Sequence, residues 1–175
     1  MPEPSVPEPT VPEPLVLHPL TGPDLEVLAA GRPVTVAGRE LVWPADDLRV
    51  LRYRREALAA DPACAPYLLH VAVDARGALR ARIGCHEGPL DGTVEIGYAV
   101  AAAERGHGVG TALVTVFLDW LGTQGVTRVR ASVSPGNAAS RAVLRRHGFV
   151  EVGERWDDED GRELVLETVL PADTR

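Results

Sequence analysis

Lysine is absent from this 175-residue chain, whose 18 basic residues are all arginine. Chemistry that depends on a lysine nucleophile, a Schiff base or a phosphate-gripping lysine is therefore excluded. Cysteine is scarce: Cys64 and Cys85 have no CxxC spacing, and small buried hydrophobes in a reducing cytoplasm are the expectation, not catalytic thiols. No apolar run reaches the roughly 18 residues that a membrane span requires, and nothing resembles a signal peptide. Excess positive charge is missing too. The net charge is -7, of which Glu3, Glu8 and Glu13 supply -3, leaving -4 for the rest. A nucleic-acid duplex or an anionic membrane would be repelled.

What is present is ordinary for one globular domain, with 45% hydrophobic and 25% charged residues. Residues 1–14 stand apart. They repeat Pro-Glu-Pro every five positions and contain six prolines, so an extended, acidic, polyproline-like tail is expected there. The boundaries that follow are a tail over 1–14, a domain over 15–170 and a short tail over 171–175.

Within the domain, Leu15 to Leu20 reads as a strand and Thr21-Gly22-Pro23-Asp24 as a helix start bearing Leu25 and Leu28. Val34 to Trp43 alternates weakly and fits either a loop or an added strand. A helix is expected from Leu48 to Ala60, closed by Pro62 and Pro66. Tyr67 to Val73 and Ala78 to Cys85 then flank an Asp74–Gly77 turn as a hairpin, and Thr93 to Val100 is a third strand. The next helix is marked by Val109, Ala112, Leu113, Val116, Phe117, Trp120 and Leu121 at steps of three and four. Val126 to Ser134 is a strand, Asn137 to His147 a helix stopped by Gly148, and Phe149 to Trp156 with Leu164 to Leu170 a last hairpin. Such alternation implies a mixed α/β sheet.

Arg105-Gly106-His107-Gly108-Val109-Gly110 lies where a strand hands over to a helix N-terminus, whose first N–H groups lack partners. Glycines there let the main chain approach a bulky anion, and the helix dipole adds about 0.3–1 kcal/mol of attraction. A lysine-bearing nucleotide loop is ruled out by composition. A dinucleotide fingerprint would need a third glycine where Thr111 stands and an acidic residue ending the next strand, and has neither. What remains is an Arg-x-x-Gly-x-Gly loop for a coenzyme A pyrophosphate, and with it the sequence resembles the GNAT N-acetyltransferase superfamily. Glu95-Ile96-Gly97-Tyr98-Ala99-Val100 resembles the preceding strand of its ribosomal-protein (RimJ/RimL-type) branch. Asn137-Ala138-Ala139-Ser140, closing at Gly148-Phe149, resembles that branch's Asn-x-x-Ser helix.

The resemblance implies a GNAT-like acyl-CoA N-acyltransferase fold in a single domain, with acetyl-CoA as co-substrate and no metal. It implies that the strand ending at Val100 splays from the one beginning near Val126, so that the Val100 N–H can serve the pantetheine arm and the oxyanion, a donor worth about 3 kcal/mol of barrier. Arg105, Gly106, His107, Gly108, Val109, Gly110 and Thr111 would receive the pyrophosphate, and Asn137 the pantetheine amides. Asn137 is equally suited to capping a helix, and Ser140 to a plain helix surface. Ser140 or water is the expected acid for the departing thiolate, because Leu144 stands where the superfamily often has a tyrosine. His107 replaces the usual Arg or Lys.

Glu95 is the expected base: it projects from its strand opposite Val94 and Ile96, on the face of the small residues Gly97 and Ala99. A solvated edge carboxylate is the alternative. A lysine-like amine needs roughly 4 kcal/mol to become neutral at pH 7.4 and an α-amine well under 1. The acceptor is accordingly expected to be a protein or peptide N-terminus or a small amine. Asp157-Asp158-Glu159-Asp160 could draw a cation or simply form a wet turn ahead of Gly161. Two other readings stand beside the enzyme: a non-catalytic acyl-CoA-binding sensor, and a homodimer in which the proline-rich tail occupies a neighbour's groove.

Overall fold

In the computed structural model residues 15–171 are described; the tail 1–14, and with it the reading of a tail docked in a neighbour's groove, and residues 172–175 lie outside the described residues. Strand β1 shrinks to His18–Pro19, since Pro19 has no N–H for a longer ladder. Helix α1 (Gly22–Ala29) starts at a capping box: Thr21 Oγ1 accepts from the Asp24 amide at 3.3 Å, and Asp24 Oδ2 from the Thr21 amide at 2.8 Å. The ambiguous stretch after it is a separate hairpin of β2 (Val34–Val36) and β3 (Arg39–Leu41). Its turn residues Ala37 and Gly38 have φ of 51° and 74°, as a tight hairpin demands.

Helix α2 (Leu48–Ala60) forms as expected. Tyr67 and Leu68 do not open the next strand. They belong to a short helix α3 (Ala65–Leu68), because Pro66 sits in its first turn, where a proline is already preset. Strand β4 therefore begins at His70 (His70–Val73). After it come β5 (Leu79–Cys85), β6 (Thr93–Val100), α4 (Val109–Thr123), β7 (Arg128–Val133), α5 (Ala138–Arg146), β8 (Val150–Asp157) and β9 (Gly161–Val169). Helix α5 ends in a Schellman turn: the Gly148 amide donates to Arg145 O, the Phe149 amide to Leu144 O, and Gly148 takes φ 76°.

Seven strands form one sheet in the order β1-β4-β5-β6-β7-β9-β8, with β6 and β7 parallel and the other neighbours antiparallel. The parallel step follows from α4, which carries the chain back across one face. Alternate residues of the central strands, among them Ile83, Ile96, Val129 and Leu166, are buried against α4 and Leu144 of α5. Leu79, two residues before Ala81 in β5, packs in the second core, beside a register shift at Ala72/Val73. That second core joins α1, α2, the β2–β3 hairpin and Val71.

The buried face of α4 is broader than its periodicity suggests. Val114 and Leu118 are buried while Ala112 is exposed, since a helix apolar nearly all round leaves its orientation to the surface it meets. No helix among the described residues is long and apolar enough to cross a membrane.

Candidate active site

Strands β6 and β7 pair from Thr93 opposite Arg128 to Ile96 opposite Ala131, and there they part. Beyond that point β6 stays with β5 up to Val100, and β7 stays with β9 up to Val133. The His86 amide donates to Glu95 O (2.8 Å) and the Ala101 amide to Arg80 O (2.9 Å), so the odd-numbered residues of β6 turn their backbone groups toward β5. Tyr98 and Val100 consequently turn theirs toward the gap. The Val100 carbonyl accepts from Arg105 Nε at 3.1 Å, and its N–H faces the opening. A groove of about 950 Å³ runs through this break, with Gly97 and Tyr98 on one bank and Val133, Asn137 and Ser140 on the other.

At the mouth, Glu104 binds Arg80 of β5 through two hydrogen bonds (3.1 and 2.9 Å), and the Arg105 side chain is spent on Val100. These two arginines fix the start of the loop. After them Gly106 and Gly108 adopt φ of 80° and 79°, a region that glycine enters without strain. Gly108 caps α4 without a side chain, and the first helical bond runs from the Ala112 amide to Gly108 O. The amides of Val109, Gly110 and Thr111 have no protein acceptor among the described residues. His107 is exposed beside them.

On the far bank Asn137 caps α5: its Oδ1 accepts from the Ser140 amide at 3.0 Å, which leaves Nδ2 to face the groove. The capping and binding readings of this residue are compatible. Ser140 Oγ lies 2.8 Å from the Tyr98 hydroxyl, which also reaches the Ser140 carbonyl at 3.3 Å. Burial raises the Tyr98 pKa above that of a free phenol, opposed by the Ser140 hydrogen bond, and so keeps its proton on. Leu144 is fully buried in the core beneath.

Glu95 is only 22% exposed, and Arg155 of β8 grips it: Nη1 donates to Oε2 at 3.0 Å and Nη2 lies 2.9 Å from Oε1. Arg155 Nε also donates to buried Glu163 at 2.8 Å. One guanidinium between two carboxylates leaves a net negative corner. His86 Nδ1 stands 3.9 Å from Glu95 Oε1, too far for a hydrogen bond. Enclosure by the groove walls, and then the charge of Arg54, push the His86 pKa down to about 4 against the pull of Glu95, so its ring is neutral at pH 7. Across the groove Asp47 holds Arg82 through two bonds (2.5 and 2.6 Å).

The acidic hairpin tip is a turn and a clamp. Asp157 Oδ1 accepts the amides of Glu159 and Asp160 (2.9 and 2.8 Å), while Arg49 of α2 pairs with Glu159 and Asp160 and Arg52 with Glu159. Those charges close the hairpin over α2.

Sequence reading did not single out Tyr98, His86, Arg155 or Arg54. For Arg54 a signal existed: it follows Val50 and Leu51 at helical spacing, an arginine on the buried face of α2. The others meet only through the sheet.

A sheet opened at its parallel step, with a bare helix N-terminus at the mouth and charged groups behind, defines a site for an elongated anionic carrier beside a second, smaller reactant. The comparisons agree. The model of the GNAT acetyltransferase domain matches residues 15–150, and the chain belongs to that family. It is similar to L-2,4-diaminobutyric acid acetyltransferase of Nocardia farcinica (strain IFM 10152), 46% identical over 54 residues, a match spanning 29% of this chain and only 28% of that relative. Among solved structures it resembles ribosomal-protein-alanine N-acetyltransferase from Brucella melitensis, with TM-score 0.60, 24% identity, 89% of this chain and 100% of that one. It also resembles a chimera of spermidine N-acetyltransferase SpeG from Vibrio cholerae and hSSAT, with TM-score 0.63, 18% identity and coverage of 90% and 96%. At these identities the structures show the fold.

Proposed function

We propose that this protein is an acetyl-CoA-dependent N-acetyltransferase acting on a primary amine. One observation carries the reading: the amides of Val109, Gly110 and Thr111 have no protein acceptor among the described residues, at a helix start where a Cβ on Gly110 would lie 3.6 Å from Val100 Cγ2, on the strand that leaves β7 after Ile96. Acetyl-coenzyme A, when bound, supplies an acetyl group activated as a thioester. The free amides, with Gly106 and Gly108 allowing close approach, suit its pyrophosphate; the Val100 N–H and Asn137 Nδ2 suit its pantetheine arm. Charge developing on the thioester oxygen would be met by the Val100 N–H, a donor worth about 3 kcal/mol.

Glu95 takes the proton of the attacking amine, with neutral His86 lining the groove beside that carboxylate. Tyr98 and Ser140, already hydrogen-bonded to each other, return a proton to the thiolate. The Asn137–Ser140 spacing favours the ribosomal-protein branch of the family. The relatives' names give three amines to try first: diaminobutyrate, spermidine and an N-terminal alanine.

The test combines acetyl-CoA calorimetry with release of free thiol over that amine panel. Glu95→Gln should lower kcat about 100-fold or more while leaving the acetyl-CoA Kd unchanged. Absence of acetyl-CoA binding to the unaltered protein would sink the proposal, and binding without turnover on any amine would leave a sensor.

A further inference from the structure

We infer that Arg54 is the receptor for a carboxylate carried by the acceptor, because it is a buried guanidinium that lines the groove and has no partner among the described residues. This rests on the acetyl-transfer reading above and narrows its acceptor to a small amino acid with a free carboxylate.

Arg54 is 5% exposed, yet it makes no hydrogen bond or ion pair among the described residues, and its Nε is buried without an acceptor. The neighbouring carboxylates are committed elsewhere: Asp47 to Arg82, Glu95 and Glu163 to Arg155. Cys64 and Cys85 are close to it, and burial keeps both thiols protonated, pushing Cys85 up to about 12. Burial lowers Arg54 itself to about 10, which still leaves it a cation at neutral pH. A desolvated, unpaired cation is strongly unfavourable, and an arriving carboxylate would supply both the charge and a two-pronged acceptor.

Gly97 fixes where that carboxylate would sit. A Cβ there would lie 3.0 Å from His86 Nε2 and 3.7 Å from Arg54 Nη2, so both groups converge above one point of β6 where the sheet has opened. A molecule spanning a carboxylate at Arg54 and an amine at His86 and the negative Glu95–Arg155–Glu163 corner has the size of an amino acid. A polyamine would bring a second cation toward Arg54. A protein N-terminus would bring a neutral amide.

The test compares L-2,4-diaminobutyrate, L-ornithine and L-alanine, each beside its carboxamide, with the full-length protein and its Arg54→Met variant. For at least one pair, the unaltered protein should favour the carboxylate by about 100-fold in kcat/KM, and Arg54→Met should shrink this to within about 3-fold with an unchanged acetyl-CoA Kd. Arg54→Met should melt no lower than the parent, because it removes a buried unpaired charge. Glutarate, a dicarboxylate without an amine, should raise the Tm of the parent and not of the variant. Equal use of carboxamides by the parent overturns the inference, as does a variant that keeps the preference while losing stability. If Arg54→Met fails to fold, the parent's carboxamide ratio and glutarate response decide. Loss of acetyl-CoA binding would strike the acetyl-transfer reading, whereas a glutarate shift without turnover would still mark the carboxylate site.

Discussion

Tyr98 is half-buried in β6, and its hydroxyl bridges to Ser140 of α5 across the gap where the sheet has no hydrogen bonds of its own. A phenol held protonated by burial can deliver its proton to a thiolate and recover it through the serine. Tyr98→Phe should therefore lower kcat about 10- to 100-fold with the acetyl-CoA Kd unchanged. The sign of its pH effect follows from the role: an acid must be protonated, so activity falls as pH rises through the raised phenol pKa. That alkaline limb should disappear from the kcat–pH profile of the Phe variant, and an unaltered kcat would remove Tyr98 from the chemistry.

At the scale of the element, the Arg105–Thr111 turn shows how a helix start can be ordered without being satisfied. Arg80–Glu104 and Arg105–Val100 pin its start, while positive-φ glycines keep side chains away from the free amides. Gly108→Asp tests this directly. Aspartate tolerates the left-handed region better than most residues and meets open space there, so the fold should be kept with a modest loss in Tm. Its carboxylate would occupy the anion's place and repel it, and the acetyl-CoA Kd should weaken about 10-fold or more by calorimetry. An unchanged Kd would mean that the pyrophosphate binds elsewhere.

Over the whole molecule, the sheet is joined to its helices by contacts between distant segments, and one of them carries a titratable group. His70 of β4 is 5% exposed, with its ring centroid 5.2 Å from that of Phe117 and 4.7 Å from that of Trp120 on α4, and its Nδ1 has no partner among the described residues. Burial lowers its pKa from 6.5 to about 4. The unfolded chain therefore takes up a proton first as the solution is acidified. Stability should fall as pH drops below about 6.5 and level off near 4, by up to about 3 kcal/mol from this residue. Urea unfolding between pH 4 and 8 measures the loss, and His70→Gln should flatten the slope; an equal slope in the variant would exclude His70 as its source.

What the sequence determined by itself is the local grammar from residue 93 to 149. A strand, a glycine turn, an amphipathic helix and a glycine-stopped helix each depend on neighbours a few positions away, so Gly106, Gly108, Asn137 and Gly148 were legible where they stand. The structure decided the rest. It turned the acidic tip into a clamp through Arg49, 111 residues from Asp160, paired Glu95 with Arg155 across 60 residues, and joined Tyr98 to Ser140 across 42. It also chose Val114 and Leu118 over Ala112 for the buried face of α4. Periodicity records which residues can share a face; which face is covered, and which charges are left without a partner among the described residues as Arg54 is, follows only from packing between segments distant in sequence.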